Sequence, residues 1–381
     1  MIADAEGREL RAGDGARVVL GTLIKSGGAG SVYCVPAAPL LVAKLYHPSV
    51  DLSQYERKVA AMLALTPDLP ELSEGGTRYV QIAWPTALLR DLRGRFVGYL
   101  MPAVDVAATS ELECVMQERQ ARALGLPTGL GAKVTLAANL ANVIAELHRR
   151  QHRVVDLKPV NLRFYPRSLY MAMLDCDGFS IQGKGERFEA PQVTVDYLAP
   201  EFQRGGLNAS GEEAQDRFAL AVIVFQLLNF GIHPFTGRPA NDRVPTDVPS
   251  RIAARLYAYG LKPNPQLSPT PSSGHAAMPA DLRQLFDRAF EGTGGARPSP
   301  VEWGAALRPY AQRASLKLVK CTSDGEHQHF AGLPCAACAR AALISKTARG
   351  ARQPLPVVEA VMNRSPTACT VAASICVRVW P

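Results

Sequence analysis

The chain has 381 residues, 47% of them hydrophobic and 20% charged, so it has enough apolar surface for one large domain and a smaller appendage. Of its formal net charge of +8, +6 lies between residue 311 and the end, where nine Lys/Arg face three Asp/Glu. This excess favours a solvated, partly disordered end over a surface for nucleic acid or membrane phosphates.

The sequence argues against export and membrane insertion. It does not open with a basic flank and an apolar stretch, which indicates no secretory signal. The longest apolar run, 218–232, is interrupted by Gln226 and Asn229 and is shorter than the ~20 residues of a membrane span. Eight cysteines, three of them between 321 and 338, favour metal over disulfides in a reducing compartment. We therefore expect a cytoplasmic protein without a membrane span.

The first hundred residues are predicted to be rich in β-structure, because alternating and β-branched residues are separated by glycines. One helix interrupts them, capped by Asp51 or Ser53. The predicted strands are 17–24, 31–35, 40–46, 80–89 and 95–101.

The remainder is predicted to be helical from Gly131 onward, with apolar residues at helical spacing. Further helices are expected at 215–228 and 280–290. A strand-rich front and a helix-rich back predict two lobes joined near 101–103. The Pro/Ser/Gly-rich stretch 262–274 is expected to be a surface loop, and no internal repeat occurs.

A glycine-rich segment, Lys25-Ser-Gly27-Gly28-Ala-Gly30-Ser-Val32, lies between two predicted strands. Glycines let backbone N–H groups approach phosphate closely, although a plain tight turn has the same composition. Fourteen residues after Gly30, Val-Ala-Lys44 places a lysine on a strand, where it either holds nucleotide phosphates or faces solvent. A phosphate-holding lysine needs a carboxylate to fix it. Glu56 on the next helix is the best candidate, with an exposed helix glutamate as the alternative.

Two later segments carry the most specific pattern. Val154-Val-Asp156-Leu-Lys158-Pro-Val-Asn161 follows a helix of buried pattern, and Met173-Leu-Asp175-Cys-Asp177-Gly178-Phe179 follows a short strand. In order and spacing they resemble the catalytic loop and metal-binding triplet of the protein kinase family. Further matches, in order, are Thr194-Val-Asp-Tyr197-Leu-Ala199-Pro200-Glu201, Asp216, His233-Pro-Phe235 and Arg297-Pro-Ser.

This resemblance implies an α+β, two-lobed protein kinase-like fold over about residues 17–310. A small zinc-ribbon-like element is expected to follow it. The expected units are an N-terminal extension (1–16), a β-rich N-lobe (17–101), a helical C-lobe (103–310), the zinc element (315–341) and a basic, disordered tail (342–381).

The resemblance also implies roles for the site residues, since phosphoryl transfer is mainly positioning and charge neutralisation. Lys44 would hold the α- and β-phosphates of ATP. Asn161 and Asp175 would hold Mg²⁺. Asp156 would accept the proton of the substrate hydroxyl, and Lys158 would neutralise the moving phosphoryl group.

Other matches imply specificity and support. Adenine would pair with backbone groups around Met101 and Ala103. Lys158, two residues after the expected base, and Thr194 both match serine/threonine kinases, so the expected acceptor is a Ser or Thr hydroxyl. Structural contacts are implied for the remaining matches: Glu201 with Arg297, and Asp216 beneath the catalytic loop.

The chain departs from the family pattern at three places. Lys25 stands at the first glycine position, which would loosen or re-aim the phosphate cover. Val154-Val155 stand where the family has His-Arg, so a phosphate on the activation segment has no standard partner, and we expect activity without it. Asp175-Cys-Asp177 replaces Asp-Phe-Gly. Asp175 is the preferred ligand, and Asp177 is either a second ligand or, by preference, a polar turn residue.

A cysteine- and histidine-rich cluster lies near the end of the sequence. Zn²⁺ takes four N/S ligands, and a Cys-x-x-Cys turn supplies two of them. We expect His327 as the fourth ligand, with His329 as the alternative. A loop with incidental cysteines and a redox pair are the competing interpretations. The cluster comprises Cys321, His327, His329, Cys335 and Cys338.

A kinase domain followed by a zinc knuckle resembles a bacterial kinase-like family, often encoded beside a metal-dependent phosphatase and a von Willebrand-type domain protein in stress gene sets. We therefore expect an ATP-dependent serine/threonine protein kinase with a protein substrate. The alternative is a pseudokinase or nucleotide-sensing module, favoured by Lys25, the Val-Val pair and the altered triplet. A small-molecule kinase is disfavoured by the intact Ala199-Pro-Glu201.

Overall fold

The computed structural model describes residues 5–350, with the side chains of 347–350 excepted. Short strands dominate the first hundred residues, and helices dominate the rest. The strands are β1 (Glu9–Ala12), β2 (Arg17–Val19), β3 (Leu23–Ser26), β4 (Gly30–Cys34), β5 (Leu41–Tyr46), β6 (Leu72–Glu74), β7 (Thr77–Tyr79), β8 (Ala87–Arg90), β9 (Phe96–Pro102), β10 (Ser110–Glu111), β11 (Leu162–Phe164), β12 (Met171–Met173), β13 (Ile181–Gln182), β14 (Arg187–Phe188), β15 (Arg238–Pro239), β16 (Leu267–Ser268), β17 (Leu318–Lys320) and β18 (Gln328–Phe330). The helices are α1 (Leu52–Ala64), α2 (Leu112–Met116), α3 (Glu118–Ala123), α4 (Leu130–Arg149), α5 (Glu212–Leu228), α6 (Val248–Ala253), α7 (Ala280–Glu291), α8 (Pro300–Ala311) and α9 (Ala336–Gly350).

A seven-stranded antiparallel sheet, of order β2-β1-β8-β9-β5-β4-β3, forms the front of the molecule. Strand β5 lies inside this sheet and pairs Lys44 with Val32 of β4 on one side and Tyr99 of β9 on the other. Helix α1 packs across β8 and β9 and begins at the cap Asp51, whose side chain accepts the N–H groups of the first turn. The sheet therefore holds Lys44 on an inner strand, paired on both sides, with its side chain buried.

Strand β1 belongs to this sheet, because it pairs with β2 and with β8. It lies within residues 1–16, which were predicted to form an extension separate from the N-lobe. The fold integrates the described part of that extension into the front sheet.

The back of the molecule is built around α4 and α5. Helix α5 is buried on almost all sides, from Phe218 to Leu228, and its burial comes from packing against α4 and α7. Helix α4 packs on α8 along its length. Among the described residues α4 is the one helix long and apolar enough to span a membrane, and 56% of its apolar window is buried inside the fold.

The C-terminal element consists of the hairpin β17–β18 and helix α9. It packs on the back of the molecule, where Phe330 meets Tyr310 edge-on and Gln328 Oε1 accepts from the N–H of Gly131 (2.8 Å). Helix α9 reaches Gly350, inside the segment that the sequence assigned to a disordered tail. The rest of that tail, 351–381, lies outside the described residues.

This architecture is a mixed α/β fold with a curled sheet, a helical half and a C-terminal cysteine cluster. It is consistent with the expected kinase-like fold. A cleft separates the sheet from the helical half, and the candidate catalytic residues lie on both of its walls.

Candidate active site

The predicted catalytic loop, between α4 and β11, gathers its side chains around Asp156. One carboxylate oxygen, Oδ1, accepts from the backbone N–H (2.9 Å) and hydroxyl (2.6 Å) of Thr194. The other, Oδ2, lies 2.9 Å from Lys158 Nζ and accepts from Asn161 Nδ2 at 3.1 Å. Lys158 Nζ also donates to Thr194 Oγ1 (2.7 Å). The structure thus brings four separately predicted residues into one hydrogen-bonded group.

The backbone of this loop is held by Asp216, a fully buried carboxylate of α5. It accepts from the N–H groups of Val154 (2.8 Å) and Val155 (2.7 Å), and His148 Nε2 lies 2.9 Å away. Val155 has φ of 67°, a left-handed conformation that is costly for a β-branched residue. Asp216 stabilises that conformation and so positions Asp156, as a charged acceptor of two backbone hydrogen bonds.

On the opposite wall, Lys44 binds both aspartates of the Asp175-Cys-Asp177 triplet, the predicted metal site. Its Nζ donates to Asp177 Oδ1 at 2.6 Å and to Asp175 Oδ1 at 3.3 Å. The Tyr46 hydroxyl donates to Asp177 Oδ2 at 2.9 Å. Lys44 and Asp177 are 6% and 3% exposed, so they form a buried ion pair.

Lys44 and Asp177 each shift the pKa of the other in the direction that favours its charged form. Burial lowers the pKa of Lys44, but the charges of Asp177 and then Asp175 outweigh it and raise that pKa overall. Burial raises the pKa of Asp177, but Lys44 and the Tyr46 hydroxyl outweigh it and lower that pKa. Both partners are therefore charged at neutral pH.

The expected partner of Lys44, Glu56, lies elsewhere. Its Oε1 accepts from Arg90 Nη2 on β8, at the edge of α1. The α1 positions that face inward carry Tyr55 and Val59, and Tyr55 lines the cleft beside Lys44. Successive residues of a helix are about 100° apart, so Glu56 cannot share the face of Tyr55. The structure assigns the carboxylate partner of Lys44 to Asp177 instead.

The three side chains of the Asp175-Cys-Asp177 turn point in different directions. Asp175 has a left-handed backbone (φ 53°, ψ 40°) and a side chain that is 61% exposed toward the cleft. Cys176 is fully buried in the core, and burial raises the pKa of its thiol well above the ordinary value. Asp177 reaches Lys44. The turn residue expected at Asp177 is thus a buried ion-pair partner.

The glycine-rich segment covers the cleft from above. Gly27 N–H donates to Gly30 O (2.9 Å), closing the turn between β3 and β4. A Cβ on Gly30 would collide with Leu45 O, so glycine is required there for strand packing, whereas Gly28 has open space around it. Beneath the turn, a cavity of about 300 Å³ is bordered by Val32, Lys44 and Asp175, among others. A second cavity of about 400 Å³ lies beside Asp156 and Asn161.

The predicted adenine contacts at the lobe junction are only partly available. Ala103 N–H donates to Leu40 O (2.9 Å), and Ala103 O accepts from Arg78 Nη1 (3.2 Å). Both backbone groups of Ala103 are therefore engaged. The N–H of the next residue, Val104, has no hydrogen-bond partner among residues 5–350. Met101 lies at the end of β9, buried beside Tyr99.

Two arginine–glutamate contacts support the segment between the triplet and α5. Arg297, fully buried, donates to Glu201 Oε2 at 2.7 Å, and although burial opposes it, Arg297 lowers the pKa of Glu201. Arg187 of β14 donates to Glu212 Oε2 (2.5 Å), which also accepts from the Ser180 hydroxyl (2.7 Å). These contacts hold the segment in place without a phosphate group on it.

The C-terminal cysteines converge. The Sγ atoms of Cys321, Cys335 and Cys338 all lie within 4.8 Å of one another. His327 Nδ1 is 3.4 Å from Cys338 Sγ, whereas His329 Nδ1 lies 3.0 Å from the carbonyl of Phe330. Backbone N–H groups of residues 323 and 324 lower the pKa of the Cys321 thiol to about 7. Three thiols in one place, one of them readily ionised, could bind a metal ion.

Sequence reasoning missed the role of Asp177 and the contribution of Tyr46. A signal was present in the aspartate at the third position of the triplet, where the family has glycine. Asp177 occupies the place beside Lys44 that the sequence analysis had assigned to Glu56 of α1. The alternation of Lys44 and Tyr46 on one face of β5 placed both beside it.

No family model matches the chain. The chain is 28% identical over 338 residues to a protein of Escherichia coli strain K12 named protein kinase YegI, covering 85% of this chain and 49% of that protein. The protein of the same name from E. coli O157:H7 is 28% identical over 325 residues, covering 82% of this chain and 47% of that protein. A Myxococcus xanthus protein named serine/threonine-protein kinase Pkn1 is 31% identical over 175 residues, which are 44% of this chain and 22% of that protein.

The chain thus spans about half the length of the YegI proteins that it matches. These similarities support a bacterial protein kinase-like group for the chain. The serine/threonine designation comes from the name of the more distant Pkn1 alone.

Proposed function

We propose that the chain is an ATP-dependent protein kinase that transfers the γ-phosphate to serine or threonine hydroxyls. The observation that carries the proposal is the hydrogen-bonded group of Asp156, Lys158, Asn161 and Thr194, set across a cleft from Lys44. A carboxylate, a cation and an amide oxygen are the groups that phosphoryl transfer requires. The kinase names of the relatives support the same reaction class.

Mg²⁺ fits the residues on the cleft wall. Asn161 uses its amide nitrogen on Asp156, which leaves its amide oxygen as an acceptor. Asp175 presents a carboxylate to the cleft that is 61% exposed. Oxygen ligands of this kind suit Mg²⁺, which neutralises phosphate charge when bound. We assign Asn161 and Asp175 as its ligands, and we assign Asp177 to Lys44.

In the proposed step, the hydroxyl oxygen of the substrate bonds to the γ-phosphorus of ATP. The proton of that hydroxyl passes to Asp156. The bond from that phosphorus to the bridging oxygen breaks, and ADP leaves. Lys158 lies within 2.9 Å of Asp156, where its charge can offset the negative charge of the transferring group. Thr194 orients the carboxylate through its N–H and hydroxyl.

For nucleotide binding, we propose Lys44 at the α- and β-phosphates under the turn formed by Gly27, Gly28 and Gly30. Adenine would pair at the junction after Met101. Because both backbone groups of Ala103 are engaged, we move the expected donor from Ala103 to the N–H of Val104. A structure with bound nucleotide tests this one-residue shift.

Regulation would not require a phosphate between Gly178 and Asp196. Two arginines beside this segment are already paired, Arg153 with Glu213 and Arg187 with Glu212. Complete phosphatase treatment should therefore leave the turnover within about twofold. A loss of turnover after treatment, restored by rephosphorylation, would overturn this proposal.

Zn²⁺ fits the C-terminal cluster, with Cys321, Cys335, Cys338 and His327 as ligands. His327 is preferred over His329 because of its 3.4 Å approach to Cys338 Sγ. When bound, the ion stabilises the hairpin and α9 as one folded unit. We expect about one zinc per chain by elemental analysis, lost in Cys335→Ser with a lower melting temperature, and retained in Cys114→Ser. Equal zinc in both variants would contradict the assignment.

The substrate is proposed to be a protein, in a cytoplasmic stress or signalling system. The resemblance to kinase–knuckle proteins would add a metal-dependent phosphatase and a von Willebrand-type domain protein as partners. Incubating the chain with those two proteins and labelled ATP tests both as substrates.

Incubation with Mg·ATP separates an active kinase from a nucleotide-sensing module. Wild type should label itself or a protein substrate on serine or threonine, and Asp156→Ala and Asp175→Ala should lose this by at least about 100-fold. Both variants should keep the wild-type melting temperature within a few degrees. If wild type binds ATP but never transfers phosphate, the module is the correct function. If Asp175→Ala keeps substantial turnover, the metal assignment is wrong.

A further inference from the structure

Another cavity, lined by charged residues, lies apart from the cleft and shares none of the residues that line it. It is a groove of about 640 Å³ between α3, the start of α4 and the C-terminal element. Its volume is in the range of small-molecule sites. Its inner wall continues into a narrow apolar space lined by Leu130, Leu227, Phe230 and Met278.

The groove contains a buried lysine that has no partner among the described side chains. Lys133 of α4 is 5% exposed and lines both the groove and its inner extension. Among residues 5–350, no hydrogen bond or ion pair reaches its Nζ. Glu118 is the nearby carboxylate that acts on it, and that carboxylate is bound to Arg122 at 2.8 Å. Burial lowers the pKa of Lys133, and Glu118 opposes this only in part.

The surroundings of Lys133 are basic. Arg119, Arg122 and Arg340 line the same groove, with Glu118 as its carboxylate. Glu326 borders the inner extension, but its charge is not among those that act on Lys133. Across the groove and its inner extension, Lys133 and three arginines face two carboxylates, so the net charge is +2 with Lys133 included.

An unpaired buried charge costs free energy that a bound counter-charge can recover. An excess of more than one positive charge favours a doubly charged ligand over a carboxylate. Arginine and lysine together suit phosphate oxygens, by forked and by point-charge contacts respectively. The apolar inner wall accommodates the rest of the ligand.

We propose that this groove binds a small molecule that carries a phosphate monoester, with Lys133 as its buried contact and Arg119 and Arg340 at its rim. The site is separate from the cleft, so it stands whether or not the chain is a phosphotransferase. Its ligand touches α4 near Gly131 and the C-terminal element near His327, and would link the two.

The test uses inorganic phosphate as the probe and follows the melting temperature and binding heat at constant ionic strength. Inorganic phosphate can also enter the cleft, so the set includes Lys44→Met, together with Lys133→Met and the exposed-lysine control Lys262→Met. Wild type, Lys44→Met and Lys262→Met should bind phosphate with similar Kd. Lys133→Met should raise the Kd by at least about tenfold, as for a lost charged hydrogen bond.

Stability without phosphate separates a ligand site from a structural lysine. Because Lys133 has no partner in the described part of the chain, Lys133→Met should melt at or above the wild-type temperature. A large drop, together with an unchanged phosphate Kd in Arg119→Gln, would show that the lysine is structural and would overturn the proposal. If Lys133→Met does not fold, Arg119→Gln, at an exposed position, should still weaken phosphate severalfold.

Three further results would refute the site. Unchanged phosphate affinity in Lys133→Met means that the lysine is not the contact. Loss of binding in Lys44→Met means that phosphate enters the cleft. No phosphate binding by wild type at tens of millimolar excludes the phosphate class.

Discussion

The buried pair of Lys44 and Asp177 predicts how the chain responds when Asp177 is replaced by alanine. The substitution removes a carboxylate that is 3% exposed and contacts both Lys44 Nζ (2.6 Å) and the Tyr46 hydroxyl (2.9 Å). Asp175, 3.3 Å from Lys44, is the other carboxylate that pairs with it among the described residues. Breaking a buried ion pair from one side costs about 3–5 kcal/mol. Since Asp175 remains, we expect the lower end, about 3 kcal/mol of the free energy of unfolding.

Urea unfolding measures this loss, and Asp175→Ala is the matched control. Asp175 is 61% exposed and contacts the same lysine, so its removal should cost under about 1 kcal/mol. The double variant Lys44→Met/Asp177→Leu removes both charges and should recover most of the loss. Equal costs for the two aspartates, or a double variant as unstable as the sum of its single variants, would refute the buried pair.

The same pair predicts a pH window. The lowered pKa of Asp177 and the raised pKa of Lys44 add stability that is present between the ordinary values, 3.8 and 10.5. It is lost as pH falls below 3.8 and as pH rises beyond 10.5, so the urea midpoint of wild type should approach that of Lys44→Met/Asp177→Leu at both extremes. A difference between these two urea midpoints that grows at either extreme of pH would contradict the prediction. Glu56→Gln should leave kcat/KM within about threefold in kinase assays, because Glu56 binds Arg90; a 100-fold loss would restore the original assignment. Asp216→Asn should lower kcat at least about tenfold with little change in KM, since it holds the loop without touching substrate; an effect on KM alone would oppose this.

The order of the elements followed from the sequence because its signals are local. Asp51 or Ser53 was expected to cap the first helix from its place before apolar residues at helical spacing, and the structure shows that Asp51 caps α1. The long helix of α4 was visible in the spacing of Leu136 through Leu147. The strand bounds were less well defined, since the predicted strand 80–89 forms only at Ala87–Arg90.

The catalytic loop followed from motif order, and its geometry agrees with the pattern: Asp156, Lys158, Asn161 and Thr194 share hydrogen bonds. The roles of these residues in transfer remain predictions.

The partner of Lys44 could not be derived from the sequence. The choice depends on which face of α1 Glu56 occupies, and the sequence does not fix this. It also depends on the tertiary packing that buries Asp177 in its turn. Glu56 and Tyr55 are adjacent in the sequence, yet one meets Arg90 and the other faces the cleft. A one-residue difference on a helix changes the face that a side chain occupies.

The backbone hydrogen bonds of the lobe junction were also beyond sequence reasoning. Ala103 was a reasonable adenine contact by position alone. Its N–H and C=O are used by Leu40 and Arg78, which lie far from it in the sequence. The groove around Lys133 likewise includes residues of the C-terminal element, which no local sequence pattern places beside α4.

The most direct test of the proposed reaction is a crystal structure with Mg²⁺ and a non-hydrolysable ATP analogue. We predict a metal ion bound by Asn161 and Asp175, phosphates beside Lys44, and a γ-phosphate facing Asp156. A metal ion bound by Asp177 in place of Asp175, or a nucleotide outside the cleft, would contradict the account.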